Sequence, residues 1–224
     1  MAENESLTEQ FQALHRERVR SWKPENLAEN VARRARLVAD FDPSRTVRPG
    51  DVVEPFQLAE ADGTTLTLER LTAEGPAVLV FFRYAGCPAC NLALPYYERQ
   101  LWPRLRKAGI PLVAISPHLP ETGLGAIRER HGLTYGIAND RGNALARRFG
   151  ITFDRDLVPD GQPSPGWIGE LTGTGTAELP QPAVIAIDRD RVARFVDVSP
   201  DWLARTEAPA ILEAVGRIES AAVG

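Results

Sequence analysis

Cysteine is nearly absent: this 224-residue chain has two, Cys87 and Cys90. That count excludes a disulfide-stapled framework, and a bridge across so short a loop would restrain the unfolded chain little. Charge of one sign is lacking too. With 26 basic against 30 acidic residues and a net charge of -4, nothing attracts nucleic acid or an anionic membrane surface. The longest apolar run, Ala77 to Phe82, is far shorter than the ~20 residues of a membrane-spanning helix. The opening, MAENESLTEQ, has neither the cationic start nor the apolar stretch of a secretory leader. The expectation is a cytoplasmic protein that engages neither nucleic acid nor membrane.

What is present reads as an α/β protein, 43% apolar and 25% charged. The first forty residues look helical, with Leu27, Val31 and Val38 spaced for one face and Arg33, Arg34 and Arg36 for the other. Pro43, Pro49 and Gly50 end this pattern, which divides the chain into a helical arm over residues 1–48 and an α/β domain over residues 49–224. A small hairpin turning at Ala61-Asp62-Gly63 comes first. Ala77 to Phe82 suits a strand buried on both faces, Pro88 suits the first turn of the following helix, and Pro95 should kink that helix.

Strands at Pro111 to Ile115 and Tyr135 to Ala138 then alternate with helices. One helix carries Leu124 and Ile127 before Gly132; the other is N-capped by Asp140 and carries Leu145 and Phe149 before Gly150. Residues 151–182 have no period and read as an inserted loop, with or without a small hairpin. An antiparallel pair, Ala183 to Ile187 and Val192 to Val196, and a last helix packing Ile211, Leu212, Val215 and Ile218 complete the reading.

Strand, short loop, then C-x-x-C at a helix start is an arrangement that makes one thiol reactive. The helix N-terminus carries about half a positive charge, which favours a thiolate at Cys87. Cys90, one turn further in and less exposed, is placed to resolve an oxidised Cys87. Arg83 is either a cation beside the thiolate or a solvated surface residue. Tyr84 is either a hydrogen-bond donor to the thiolate or to a bound oxygen, or an aromatic packed on the loop. Zinc would need two more ligands, and His15, His118 and His131 lack ligand spacing, so neither metal nor cofactor is expected. Asn91 after Cys90 excludes covalent haem. Trp167, in Pro163-Ser164-Pro165-Gly166-Trp167, is an interface anchor, a lid over Cys87, or a residue packed beneath its own loop.

The stretch Phe81-Phe82-Arg83-Tyr84-Ala85-Gly86-Cys87-Pro88-Ala89-Cys90-Asn91-Leu92 resembles the peroxiredoxin-like branch of the alkyl hydroperoxide reductase and thiol-specific antioxidant family. Gly50-Asp51, Pro55-Phe56, Val113 to Pro117, Leu179 to Ala183 and Ile187 to Asp190 extend the resemblance over about residues 49–218. It implies a thioredoxin-like three-layer α/β fold with a central mixed sheet, the N-terminal helical arm, and the inserted loop before the penultimate strand. It also implies that Pro95 matches a helix-kinking proline, and that Pro182 matches a cis-proline facing the dithiol, where an exposed backbone edge holds a partner chain. Departures are visible as well: Tyr84 and Val80 stand where peroxiredoxins proper carry a threonine or serine and a proline, and Pro182-Ala183 where members often carry an arginine.

The resemblance implies a thiol peroxidase acting on hydrogen peroxide or organic hydroperoxides through a Cys87 sulfenic acid resolved by Cys90. A thioredoxin- or glutaredoxin-type reductant and a homodimer are implied with it. The alternatives are a thioredoxin-like disulfide oxidoreductase, to which C-x-x-C spacing equally points, and a non-catalytic redox-sensing or binding module.

Overall fold

Two helices, α1 (Leu7–Ser21) and α2 (Pro24–Ala39), form the N-terminal arm in a computed structural model that describes residues 6–60, 62–154 and 166–222. The helical run breaks at Trp22-Lys23 because the residue before a proline is driven out of helical conformation, and Lys23 is extended at φ -61°, ψ 140°. Ser6 caps α1 by accepting from the Glu9 amide at 3.2 Å. The expected inner face of α2 is corrected: Val31 and Val38 are 43% and 50% exposed. Leu27, Asn30, Arg33, Arg34 and Leu37 are the shielded residues, and Leu27, Asn30, Arg34 and Leu37 among them follow one helical stripe with a spacing of three and four. Arg34 turns inward because Asp201 accepts from it twice, both at 2.6 Å.

The remaining elements are β1 (Gln57–Glu60), β2 (Thr65–Thr67), α3 (Leu68–Leu71), β3 (Ala77–Phe81), α4 (Cys90–Gln100), α5 (Trp102–Lys107), β4 (Leu112–Ser116) and α6 (Ala126–His131). They continue with β5 (Gly136–Asn139), α7 (Ala144–Arg148), β6 (Thr152–Phe153), α8 (Ile168–Leu171), β7 (Leu179–Pro180), β8 (Ala183–Ile187), β9 (Ala193–Val198) and α9 (Ala208–Ala222). Seven strands make a mixed sheet in the order β2-β1-β5-β4-β3-β8-β9, with β3, β4 and β5 parallel and the rest antiparallel. The hairpin of β1 and β2 forms as expected, its turn partly outside the described residues. The loop between β6 and β7 is closed by their antiparallel pairing.

β3 is buried throughout, and its alternation builds a core on each face of the sheet. Val78, Val80 and Phe82 join one cluster with α1, α4 and α9, through Leu7, Phe11, Leu94, Ile211 and Val215. Leu79 and Phe81 join the other with Leu68, Leu71, Leu145 and Ala146 of α3 and α7. This is the three-layer thioredoxin-like arrangement, with both cysteines in the first cluster. Asp140 caps α7 as expected, accepting from Leu145 N at 2.8 Å and Ala146 N at 2.9 Å. Gly150, at φ 67°, must be glycine because a Cβ there would lie 2.0 Å from the Arg45 carbonyl oxygen.

Candidate active site

The dithiol sits past the carboxyl end of β3, between parallel β4 and antiparallel β8. Phe82 N donates to Ile115 O at 2.9 Å, then the chain leaves the sheet and Ser116 Oγ anchors it by donating to Arg83 O at 3.0 Å. Cys87 N closes a turn onto Tyr84 O at 3.1 Å. Asn91 Nδ2 donates to Ala85 O at 2.8 Å and Cys87 O at 2.9 Å. Its Oδ1 is held in turn by Arg130 Nη1 at 2.6 Å and His131 Nε2 at 2.8 Å, from α6. The expected helix start at Pro88 moves slightly: assigned helix begins at Cys90, although Asn91 N already donates to Cys87 O at 3.0 Å. Cys87 therefore lies at the helix mouth, where the N-terminal dipole favours negative charge. Pro95 lies inside α4.

Both thiols are free, and both cysteines are 1% exposed, so the expected difference in exposure between them is not found. Gly86 and Pro88 are exposed on either side of Cys87. Cys87 itself is buried because it packs in the cluster that Leu7 and Phe11 of the arm complete. What separates the two sulfurs is ionisation. A hydrogen bond from Cys90 is the largest influence holding the Cys87 thiol well below its usual range; burial opposes it, and Arg83 and Arg205 assist. Burial, then the bond to Cys87 and the charge on it, drives Cys90 well up. Burial and the shared hydrogen bond thus set the two thiols apart, Cys87 downward and Cys90 upward.

Arg83 is 5% exposed, which overturns its solvated reading. Its guanidinium lies 4.7 Å from the Trp202 ring and 5.7 Å from the Tyr84 ring, a cation held between aromatic faces. Half-buried Tyr84 lies against Gly86, within 3.4 Å of where a Cβ there would stand, so it packs on the loop. The cis expectation at Pro182 is corrected: among the described residues no peptide bond is cis. Nor is the backbone there a free edge. Gln181 N donates to Ile151 O and Ser199 N to Pro182 O, each at 2.7 Å, and this pairing leads the extended chain straight into β8. Trp167 packs on its own loop, since a Cβ on Gly169 would meet its ring at 2.3 Å. Pro163, Ser164 and Pro165 lie outside the described residues.

The structure adds residues that the motif does not announce. Arg18 of α1 and Arg205, between β9 and α9, both feel the dithiol's charge. Neither has a sequence signal, because nothing local relates them to Cys87. Asn91 had one, its place directly after the second cysteine.

His118 positions the loop. Its Nδ1 accepts from Ala85 N at 3.1 Å and its Nε2 meets Thr122 O at 3.2 Å, the neutral tautomer with the proton on Nε2. Burial lowers its pKa, against the Thr122 bond. A depressed imidazole pKa leaves stability untouched above the unfolded value of about 6.5 and erodes it as pH falls through the folded value. His118→Phe should destabilise by about 1–2 kcal/mol by orphaning a buried N–H, and should flatten the acid limb of the stability–pH curve, measured by urea unfolding from pH 4.5 to 8.

A profile of the AhpC/TSA family matches residues 49–196. Thiol-disulfide oxidoreductase ResA of Halalkalibacterium halodurans is 28% identical over 104 residues, 46% of this chain and 57% of that protein. Chloroplastic peroxiredoxin Q of Gentiana triflora is 27% identical over 108 residues, 48% of each. The chain thus spans about half the length of these curated relatives. Peroxidoxin BcpB from Mycobacterium tuberculosis superimposes with a TM-score of 0.59, covering 78% of this chain and 97% of that one at 21% identity, a likeness of fold. Because the matched span takes in the three parallel strands, the loop that carries Cys87 and α4, this chain belongs to the AhpC/TSA family.

Proposed function

We propose that the chain is a thiol peroxidase whose attacking sulfur is Cys87 and whose resolving sulfur is Cys90. What carries this reading is a pair of free, buried thiols at the start of α4, with the Cys87 thiol pushed down and the Cys90 thiol pushed up. The Cys87 thiolate attacks the terminal oxygen of a hydroperoxide; an S–O bond forms, the O–O bond breaks, and the alkoxide leaves as alcohol after taking a proton. Cys87 is then a sulfenic acid. Cys90 sulfur attacks it, an S–S bond forms and water departs with the Cys90 proton. An external dithiol of thioredoxin or glutaredoxin type restores both thiols, in a reducing compartment such as the cytoplasm. No described helix is long and apolar enough to cross a membrane. A homodimer belongs to the same proposal, by family resemblance.

One equivalent of hydrogen peroxide added to the reduced protein should place a trappable sulfenic acid on Cys87 and then a Cys87–Cys90 bridge, read by mass spectrometry. Unmodified Cys87 after complete mixing rejects the reading. A second reading, thiol-disulfide exchange, is favoured by Tyr84 and Val80 at the positions where peroxiredoxins proper hold peroxide. Faster turnover of insulin disulfides than of peroxide would select it.

A further inference from the structure

The loop that carries Cys87 closes on the side chain of Asn91, and both ends of that amide are engaged. Nδ2 donates to Ala85 O at 2.8 Å and to Cys87 O at 2.9 Å, while Oδ1 accepts from Arg130 Nη1 at 2.6 Å and meets His131 Nε2 at 2.8 Å. Two donors facing carbonyls and an oxygen facing a guanidinium fix which way the amide points. These bonds do not rescue orphaned groups. Arg130 Nη1 also reaches Ala85 O, at 3.2 Å, and Asn91 N reaches Cys87 O at 3.0 Å, so each carbonyl keeps a donor without the side chain. What the amide adds is restraint.

The other anchors of the loop lie upstream of Cys87. Ser116 Oγ donates to Arg83 O at 3.0 Å, and His118 Nδ1 accepts from Ala85 N at 3.1 Å. Asn91 instead bonds the Cys87 backbone itself. Among the described residues no side chain caps α4 at Ala89, and the Cys90 amide and thiol both turn to the Cys87 sulfur and lower its pKa. Asn91, the next residue, ties Cys87 to that same turn.

We propose that Asn91 is a positioning residue for the attacking sulfur: its amide, oriented by Arg130 and His131 of α6, holds the Cys87 backbone in register with the first turn of α4. A reactive group keeps its geometry when the side chain supporting it is itself held by hydrogen bonds, and a displacement of about 1 Å is enough to slow chemistry severely. Released from Asn91, Cys87 loses its alignment with the Cys90 donors, and less of it is thiolate. The inference rests on Cys87 being the reactive thiol.

Iodoacetamide tests it without peroxide: the Cys87 thiolate attacks carbon, a thioether forms and iodide leaves. Asn91→Leu removes the whole amide at nearly the same size. Asn91→Asp keeps the oxygen that faces Arg130 and His131 and loses the donors; high salt screens its added charge. Read at Cys87 by mass spectrometry near pH 6, alkylation should slow by about tenfold in both variants. The direction separates positioning from a loss of stability, because a loosened fold exposes a buried thiol and speeds its alkylation. A rate equal to or above that of the wild type in either variant overturns the proposal. Should Asn91→Leu fail to fold, the nearly isosteric Asn91→Asp still decides. Slowed alkylation in the variants, with no peroxide consumed by the wild-type protein, rejects the peroxidase reading and keeps the role of Asn91. Peroxide consumption with unslowed alkylation rejects that role alone, and a wild-type Cys87 inert to iodoacetamide overturns both.

Discussion

Cys87→Ser should abolish peroxide consumption, by at least about 10³-fold, while the two replacements of Cys90 should part company. Serine at position 87 stays protonated at neutral pH and offers no comparable nucleophile. At position 90, serine keeps an O–H that can donate to the Cys87 sulfur, whereas alanine removes the donor. Because that hydrogen bond is the largest influence lowering Cys87, Cys90→Ala should move the inflection of alkylation rate against pH upward toward an ordinary thiol. A bond to a charged group contributes about 1.5–3 kcal/mol, so alkylation by iodoacetamide near pH 6 should slow by about tenfold or more. Cys90→Ser should keep most of the low inflection. Both variants should complete one turnover and stop at the sulfenic acid, with no partner thiol to form the bridge. An inflection that stays put in Cys90→Ala would assign the lowered value to the arginines and the helix dipole instead. The sign for folding follows from the same shift: the reduced fold gains its thiolate stabilisation in full above about pH 8.5, the unfolded thiol value, and loses it as pH falls through the lowered one.

Glu207→Ala should detach the arm. Glu207 accepts from Leu7 N at 3.1 Å, Thr8 N at 2.9 Å, Thr8 Oγ1 at 3.0 Å and Ser6 Oγ at 3.2 Å, at the N-terminus of α1 where a carboxylate is favoured. It also accepts from Tyr96 Oη of α4 at 2.7 Å, and that same oxygen accepts from Ala208 N at 3.0 Å. One carboxylate thus ties α1, α4 and α9 together. Its loss should cost about 2–3 kcal/mol in urea unfolding, as removal of a cap together with a bond from a buried hydroxyl. With Leu7 and Phe11 loosened from the cluster around Cys87, alkylation of Cys87 should accelerate by about tenfold. Burial alone would raise the Glu207 pKa, but the Tyr96 hydroxyl and the Thr8 and Leu7 amides together hold it below the usual carboxylate range. The latch is therefore complete above about pH 4.3 and weakens as pH falls through the lowered value, a dependence that Glu207→Ala should lose. Unchanged thiol reactivity in this variant would mean the arm does not control access.

Much of the architecture is written in local pattern. The apolar run of β3 is buried on both faces as its composition demands, Asp140 caps α7, and Gly132 ends α6 at φ 60°. The dithiol was legible for the same reason, since its chemistry needs only a strand, a turn and a helix start, all within a dozen residues. The inner face of α2 was misread because the residue that turns inward, Arg34, is charged, and hydrophobic spacing cannot register an ion pair with Asp201. Pro182 was misread because a cis bond depends on what pairs with the neighbouring backbone, here Ile151 and Ser199.

By itself, then, the amino-acid order determined the strand–helix rhythm, the place of the two thiols and which of them faces the helix mouth, because each is set by neighbours within a turn or two. Only the tertiary structure decided that Cys87 is buried in one cluster with Leu7 and Phe11 of the arm, with Arg83 and Arg205 helping to hold its thiol below the usual range. Coulomb and burial effects act through space, and residues distant along the chain become neighbours only once the sheet, α4 and α9 have brought them together.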